Sequence, residues 1–468
     1  MTDSDNQQKW PALPATLSNI AVTKNSGKYE SVSSNYFKVG HPRLVFMAEN
    51  DEQVSHVVEY AGNVQRFVGH QIPFSVRSGG HGITNYSVND GGIIIDLSQM
   101  NQVNILDEAK GLVKVQAGAV WGDVADKISK ADLVLSSGDF GDTGVGGLAT
   151  SGGLGLLVRK QGLTTDQILG ATVITADGKK RNVNKEENSD LFWAIRGGGS
   201  QVGIVTEFIF QADKVEPAKS GQRVPIGLQK LSYNVFDLSH FLFAWHSWIT
   251  TTTENMSSLL MLTKNDSNSS IISVQATNIW CGEKTDSCEK YFTNALNIAK
   301  VEKQDESNLS YHTLVQAPHL PHEGANNVYV KNVLLTKIDD HLLNALHTML
   351  KSSAVMGIEV RAIDGPINQL SPDFDAWSFR EATLFVAMWG DVTQSSLLNQ
   401  LFKPLQEHGC GVYGAYSSDT SKSETTKAWS RDTRERLQKV VKKYDSKHII
   451  NQSRYGRLQE LTEHCKLL

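Results

Sequence analysis

His81 closes the run Ser75-Val-Arg-Ser-Gly-Gly-His-Gly82 and is the side chain of this sequence best set to do chemistry. A strand ending at Val76 delivers the backbone into consecutive glycines, which lack a Cβ and accept positive φ. Several N–H groups of Arg77, Ser78, Gly79, Gly80, His81 and Gly82 can then face one point. Converging N–H groups bind phosphate. A second cluster, Gly144-Val-Gly-Gly-Leu-Ala-Thr-Ser-Gly-Gly-Leu-Gly155, lets backbone lie flat against a large planar or pyrophosphate group, or serves only as a structural loop. A third, Gly197-Gly-Gly199, runs on to Gly203. Neither common nucleotide signature occurs: there is no G-x-x-x-x-G-K-[ST], and no G-x-G-x-x-G opens a long helix after the first strand. Taken alone, a histidine after two glycines is equally a turn residue with a satisfied ring nitrogen.

Other reactive side chains are less suggestive. Cys281, Cys288, Cys410 and Cys465 form no C-x-x-C pair. Cys281 and Cys288 flank a short polar loop and are expected as free thiols, with a local disulfide as the alternative. The stretch from Tyr311 to His322 holds three histidines, but prolines interrupt it and no acidic ligand has a defined place, so a pocket-side loop is expected rather than a metal site.

The elements that must position these groups read as mixed α and β. Asn50 caps a helix whose apolar face is Val54, Val57, Val58 and Ala61, with Gln53 at the capping-box position. Strands are expected at 72–76, 93–97, 112–116, 172–175 and 202–210, and a helix at 121–129. The glycine clusters stop near 212–218, where Ala212-Asp-Lys-Val-Glu-Pro217 closes a strand. Beyond it, strand-like runs at 258–263, 271–278, 329–336 and 383–389 alternate with helices at 288–300 and 339–352. One sheet covered by helices, a separate domain, is the expected result. A charged helix, 427–444, follows.

The chain has 468 residues and a net charge of −5, ordinary for a soluble protein of two domains and unlike the basic footprint of a nucleic-acid binder. Its N-terminus is not a secretory signal, and no stretch approaches the roughly 18 apolar residues of a membrane span, so a cytosolic location is expected.

The motifs together resemble the vanillyl-alcohol oxidase/para-cresol methylhydroxylase superfamily of flavoproteins. Within it the sequence is similar to the berberine-bridge-enzyme-like oxidases of the 6-hydroxy-D-nicotine oxidase type. The matching text is Val76-Arg-Ser-Gly-Gly-His81, Asn89-Asp-Gly-Gly-Ile-Ile-Ile-Asp-Leu97, the 144–155 cluster, Gly162-Leu-Thr-Thr-Asp166, and Asp190-Leu-Phe-Trp-Ala-Ile-Arg-Gly-Gly-Gly199 running into Gly203-Ile-Val-Thr-Glu207. The resemblance implies an α+β fold: an FAD-binding domain in two parts, 1–215 and 409–468, with an inserted substrate domain at 216–408 built as an antiparallel sheet covered by helices. It also implies that the His81 ring is bonded to the 8α carbon of FAD, which withdraws electrons from the cofactor and favours hydride uptake from weak donors. Many relatives carry a second tether, a cysteine, where this chain has Phe140, so a single attachment is implied.

Further roles follow from the same resemblance. Residues 77–82 would hold the pyrophosphate, and Thr143, Gly144, Gly146, Gly147, Thr150, Gly152, Gly153, Gly155, Gly203 and Val205 would line the rest of the cofactor. Thr143 stands where relatives gate oxygen, and a small β-branched residue there accompanies oxidase behaviour. Tyr416 takes the place of the family's catalytic tyrosine, the candidate base for the substrate's hydroxyl or amine proton, or else is a strand tyrosine packed in the interface, with Ala415 replacing the usual asparagine; Tyr413 is a weaker candidate on the opposite face if the segment is a strand. Arg380 resembles half of a His-Arg pair in which Phe379 replaces the histidine; it either serves the pocket or forms a structural ion pair. The tail departs most from relatives, with Asn451 as a flavin contact and an added segment, 456–465, suited to an interface. The implied activity is hydride transfer from a small-molecule alcohol, sugar or amine to FAD, with O2 reduced to H2O2. The alternatives are a dehydrogenase with another acceptor and a flavin-binding scaffold with a degenerate site.

Overall fold

The computed structural model describes residues 10–265, 271–316, 323–324 and 326–454. The first long helix, Asp51–Val68, forms as its sequence directs. Asn50 accepts the Gln53 N–H at its start, and it ends on Gly69 at φ 77°. The Gln53 side chain accepts the Glu49 N–H at 2.7 Å rather than closing a box on Asn50. Its buried face, Val54, Val57, Val58, Ala61, Val64 and Val68, packs in the core of the first half. In that core, Ile93–Asp96 runs between Leu44–Met47 and Phe74–Arg77, parallel to both. All four of its residues are buried, which explains the unbroken Ile-Ile-Ile run. A second, antiparallel sheet orders Val103–Asp107, Leu112–Gln116, Ile204–Gln211, Ile168–Ile174 and Lys180–Asn184.

From Pro225 to Asp391 the chain builds a seven-stranded antiparallel sheet. Its order is Val301–Ser310, Pro225–Val235, Ile272–Cys281, Met256–Lys264, Val355–Ala362, Leu384–Asp391 and Val328–Leu335. Strand alternation gives it two different faces. Leu384, Val386 and Met388 point into a core shared with the helices Leu238–Thr250, Asp340–Lys351 and Ser395–His408. Phe385 and Ala387 point the other way, into a cluster that mixes Phe37, Ile83, Leu154 and Leu163 of the first half with Val330, Leu334 and Tyr413. That second face is the wall the sheet presents to the glycine segments.

The charged helix is shorter than its sequence suggests. Lys422–Thr426 is a separate turn, and Arg431–Tyr444 starts at Ser430, whose hydroxyl accepts the Thr433 N–H. Between them Trp429 donates its indole N–H to the Gly197 carbonyl at 3.0 Å. Gly414–Tyr416 is a single 3-10 turn and not a strand. Cys281, Cys288 and Cys410 are free thiols, and Cys465 lies outside the described residues. No helix among the described residues is long and apolar enough to cross a membrane.

Candidate active site

The glycine segments meet because they have no side chains. A Cβ on Gly79 would lie 2.3 Å from the Gly144 nitrogen, and one on Gly144 would lie 2.1 Å from the Gly79 nitrogen. Both loops therefore pack back to back at backbone distance. Ser78 donates its hydroxyl to the Ala117 carbonyl at 2.6 Å, fixing the start of the turn, and Gly80 carries it round at φ 65°. The helix Val145–Ser151 follows. The N–H groups of Val145 and Gly146 donate to the Ala119 and Ala117 carbonyls, so they are spent on the fold. The Thr150 carbonyl in turn accepts N–H groups of Gly197 and Gly199, drawing the third glycine segment to the same place.

Between these loops and the seven-stranded sheet lies a cavity of about 400 Å³. Ser78, Gly79, Gly80, His81 and Gly82 line it, as do Thr143, Gly144, Gly146, Gly147 and Thr150. Gly203, Val205 and Tyr416 complete the expected residues found on its wall. His81 stacks on Tyr36 at 5.2 Å, with planes 6° apart, and its Nε2 is 3.5 Å from an Asp142 carboxylate oxygen.

Six expected residues are not on the wall, each for a physical reason. Arg77 turns inward to pair with the buried Asp96. A Cβ on Gly155 would come within 1.7 Å of the Ser137 carbonyl oxygen, one on Gly153 within 2.3 Å of Thr164 Oγ1, and one on Gly152 within 2.7 Å of the Trp377 ring, so these three serve close packing. Asn451 staples the tail to the strand Phe74–Arg77, accepting the Phe74 N–H at 3.1 Å and donating to the Ile72 carbonyl at 2.8 Å. Its successors Gln452, Ser453 and Arg454 reach the cavity instead. Arg380 forms a buried structural cluster with Asp166 and Asp375, both at 2.7 Å. In that cluster burial pushes the Asp375 carboxyl up to about 6, with Asp166 adding and Arg380 opposing.

Tyr413 and Tyr416 lie on the same side, contrary to the strand reading, because the turn between them brings their rings parallel, 9° apart at 6.4 Å. The amide of Asn332 holds this turn, donating to the Tyr413 and Tyr416 carbonyls and accepting the Tyr413 N–H at 2.8 Å. The Tyr413 hydroxyl accepts the Gly153 N–H at 3.1 Å. Tyr416 stands edge-on to Trp389 and Phe385. Its phenol is pushed well above its usual value, first by burial and then by the carboxylates of Glu359 and Asp139, against the pull of Arg361. Of the histidine stretch, His312 sits on the short helix Tyr311–Val315 away from the cavity wall; His319 and His322 lie outside the described residues.

The wall fits FAD. The Cβ position of Gly147 meets nothing within 4 Å, leaving a flat open surface. Trp377 Nε1, Trp389 Nε1 and Gln201 Nε2 are buried donors on the lining residues with no acceptor among the described residues. A ligand rich in carbonyl, hydroxyl and phosphate oxygens would satisfy them. Sequence reasoning missed all three, although Trp377 stands in the very Trp-Ser-Phe-Arg run from which Arg380 was chosen.

Residues 42–184 match the FAD binding domain family. Over 199 residues the chain is 41% identical to the (R)-6-hydroxynicotine oxidase of Paenarthrobacter nicotinovorans, covering 42% of each chain. The chain thus spans under half the length of this curated relative. The fold also matches a chitooligosaccharide oxidase structure at TM-score 0.78 and 23% identity, covering 92% of this chain and 95% of that one. A glucooligosaccharide oxidase from Acremonium strictum, described with a 6-S-cysteinyl, 8α-N1-histidyl FAD, matches at TM-score 0.73 and 19% identity over 92% of this chain and 95% of that one. The chain therefore carries an FAD binding domain over residues 42–184 and shares the fold of these oxidase structures.

Proposed function

We propose that this chain is an FAD-dependent oxidase acting on a small alcohol, sugar or amine. The observation that carries the reading is the cavity itself: three glycine segments and His81 form one wall, and Trp389 of the seven-stranded sheet, with Trp377, Tyr413 and Tyr416 beside it, forms the other. Residues 1–215 and 409–468 make up the cofactor half and 216–408 the cap; the change of sheet at Pro225 and the return of the tail beside Phe74 support this division. His81 carries the covalent bond to the 8α carbon of FAD. No cysteine stands at Phe140, so the bond is a single one. When bound, FAD supplies a hydride acceptor whose electrons pass to O2, giving H2O2.

The chain's own residues bind, orient and exclude water. The turn 78–82 holds the pyrophosphate with backbone N–H groups. Trp377, Trp389 and Gln201 donate to the cofactor or the substrate. Thr143, small and on the cavity wall, leaves room for O2. Tyr416 is the catalytic side chain we assign. Its surroundings hold the phenol protonated, which counts against Tyr416 as a base; it would donate a hydrogen bond to the substrate heteroatom and orient the adjacent C–H bond, and the heteroatom's own proton would leave to solvent. Trp389 and Phe385 fix its ring edge-on.

The test is anaerobic photoreduction of the purified protein followed by mixing with air, together with H2O2 detection on a panel of sugars, secondary alcohols and amines. Reoxidation within seconds and peroxide from a panel member support the oxidase. Reoxidation over many minutes refutes it in favour of a dehydrogenase.

A further inference from the structure

Among the described residues, His81 stacks with two rings. Besides Tyr36, Phe140 lies with its centroid 6.1 Å away and its plane 24° from that of the imidazole. Tyr36 is tied to the same turn, donating its backbone N–H to the Gly80 carbonyl at 2.8 Å. Phe140 is 36% exposed, belongs to none of the hydrophobic core clusters of the described residues, and lines the cavity.

Phe140 is held from the seven-stranded sheet. It sits between Asp139 and Gly141. Asp139 is gripped by the fork of Arg361, with Nη1 to Oδ1 at 3.0 Å and Nη2 to Oδ2 at 2.5 Å. The third side of the same guanidinium is locked by Glu359 at 2.8 Å. Arg361 and Glu359 are buried on the strand Val355–Ala362 of the seven-stranded sheet. A bidentate pair fixes orientation as well as distance. The sheet thereby sets where Phe140 stands, and Phe140 with Tyr36 sets the plane of the His81 ring.

We infer that Phe140, held by the Arg361–Asp139 pair, is a positioning residue for joining FAD to His81. The inference rests on the His81 linkage of the proposed function. In that step a bond forms between an imidazole nitrogen and C8α, while one C8α–H bond and the imidazole N–H break. Two electrons remain on the flavin until O2 removes them with the two protons as H2O2. The nitrogen attacks along a lone pair in the ring plane, so a misturned imidazole misses the carbon.

The test uses the full chain purified from riboflavin-starved cells, mixed aerobically with FAD. Flavin that stays with the acid-precipitated protein is followed over time for wild type, Phe140→Ala, Phe140→Tyr and Asp139→Asn, with circular dichroism confirming the fold. Loss of one aromatic stack predicts Phe140→Ala slowed by about tenfold, with Phe140→Tyr near wild type and Asp139→Asn slowed less. Wild-type rates in Phe140→Ala, or equal slowing in Phe140→Tyr, overturn the inference and leave the linkage standing. A slow Phe140→Ala beside a wild-type Asp139→Asn overturns the part assigned to Arg361. A wild-type protein that never retains flavin overturns the His81 linkage, and this inference with it.

Discussion

Replacing Gly147 with alanine should separate the stability of the chain from its capacity to hold FAD. Gly147 is in the helix Val145–Ser151 and on the cavity wall, and a Cβ there meets no protein atom within 4 Å. The substitution therefore disturbs no packing and recovers helix propensity, about 0.5–1 kcal/mol in favour of the cofactor-free protein. The same methyl group stands in the space that the glycines leave for the cofactor. Overpacking there costs about 1–3 kcal/mol, or roughly 5- to 150-fold in FAD affinity. Affinity is measured by flavin fluorescence quenching in a His81→Ala background, where binding is reversible, and stability by thermal unfolding without FAD. Gly79→Ala is the contrast. Its Cβ would lie 2.3 Å from the Gly144 nitrogen and 2.6 Å from the Gly144 Cα, backbone that cannot swing aside, so both stability and affinity should fall. If Gly147→Ala binds FAD as tightly as its parent, the cofactor does not lie against this helix and the reading of the cavity is wrong.

Three further outcomes follow from buried charge and thiol chemistry. Arg380→Met leaves Asp166 and Asp375 without their buried cation and should destabilise by about 3–5 kcal/mol in thermal unfolding, while FAD content at low temperature stays unchanged because Arg380 is not on the cavity wall. The Asp375 carboxyl is raised on folding from 3.8 to about 6, mainly by burial, so its protonated form is the favoured one. Its contribution is complete below pH 3.8 and is lost as pH rises through 6. The stability of wild type relative to Asp375→Asn should thus decline between pH 4 and 6, by up to about 1.4 kcal/mol per pH unit, and a flat or rising difference contradicts it. Cys281 and Cys288 are buried, and burial pushes both thiols up to about 12. Ellman's reagent should label them only after unfolding; a native protein that protects neither, or an unfolded one that yields neither, contradicts free buried thiols.

Much of the first half was legible because its elements are built from local signals. The Asn50 cap, the 121–129 helix and the Leu112–Gln116 strand occur where their patterns put them. Three long strands were not legible. Val301–Ser310 carries mostly charged and polar residues because it is the edge of the seven-stranded sheet, where charge blocks further pairing. Pro225–Val235 and Val355–Ala362 lie inside the sheet with polar or charged residues among their buried positions, Gln229, Glu359 and Arg361, so neither shows a clean alternation. The site divided along the same line. Glycines that bring backbones together announce themselves, but sequence does not say which glycine faces ligand and which faces protein: Gly147 lines the cavity, while Gly155 is pressed against Ser137. Arg380 and Asn451 are polar residues in the right neighbourhood whose partners, Asp166 and the Ile72–Phe74 backbone, are distant in sequence. Trp377, Trp389 and Gln201 depend wholly on tertiary contacts for their role.

The proposed covalent bond between FAD and His81 underlies the assigned function. It is tested most directly by acid precipitation of the purified protein and absorbance spectra of pellet and supernatant, for wild type and His81→Ala. Flavin is expected in the wild-type pellet and in the His81→Ala supernatant. Flavin released from the wild type, or retained in the His81→Ala pellet, contradicts it.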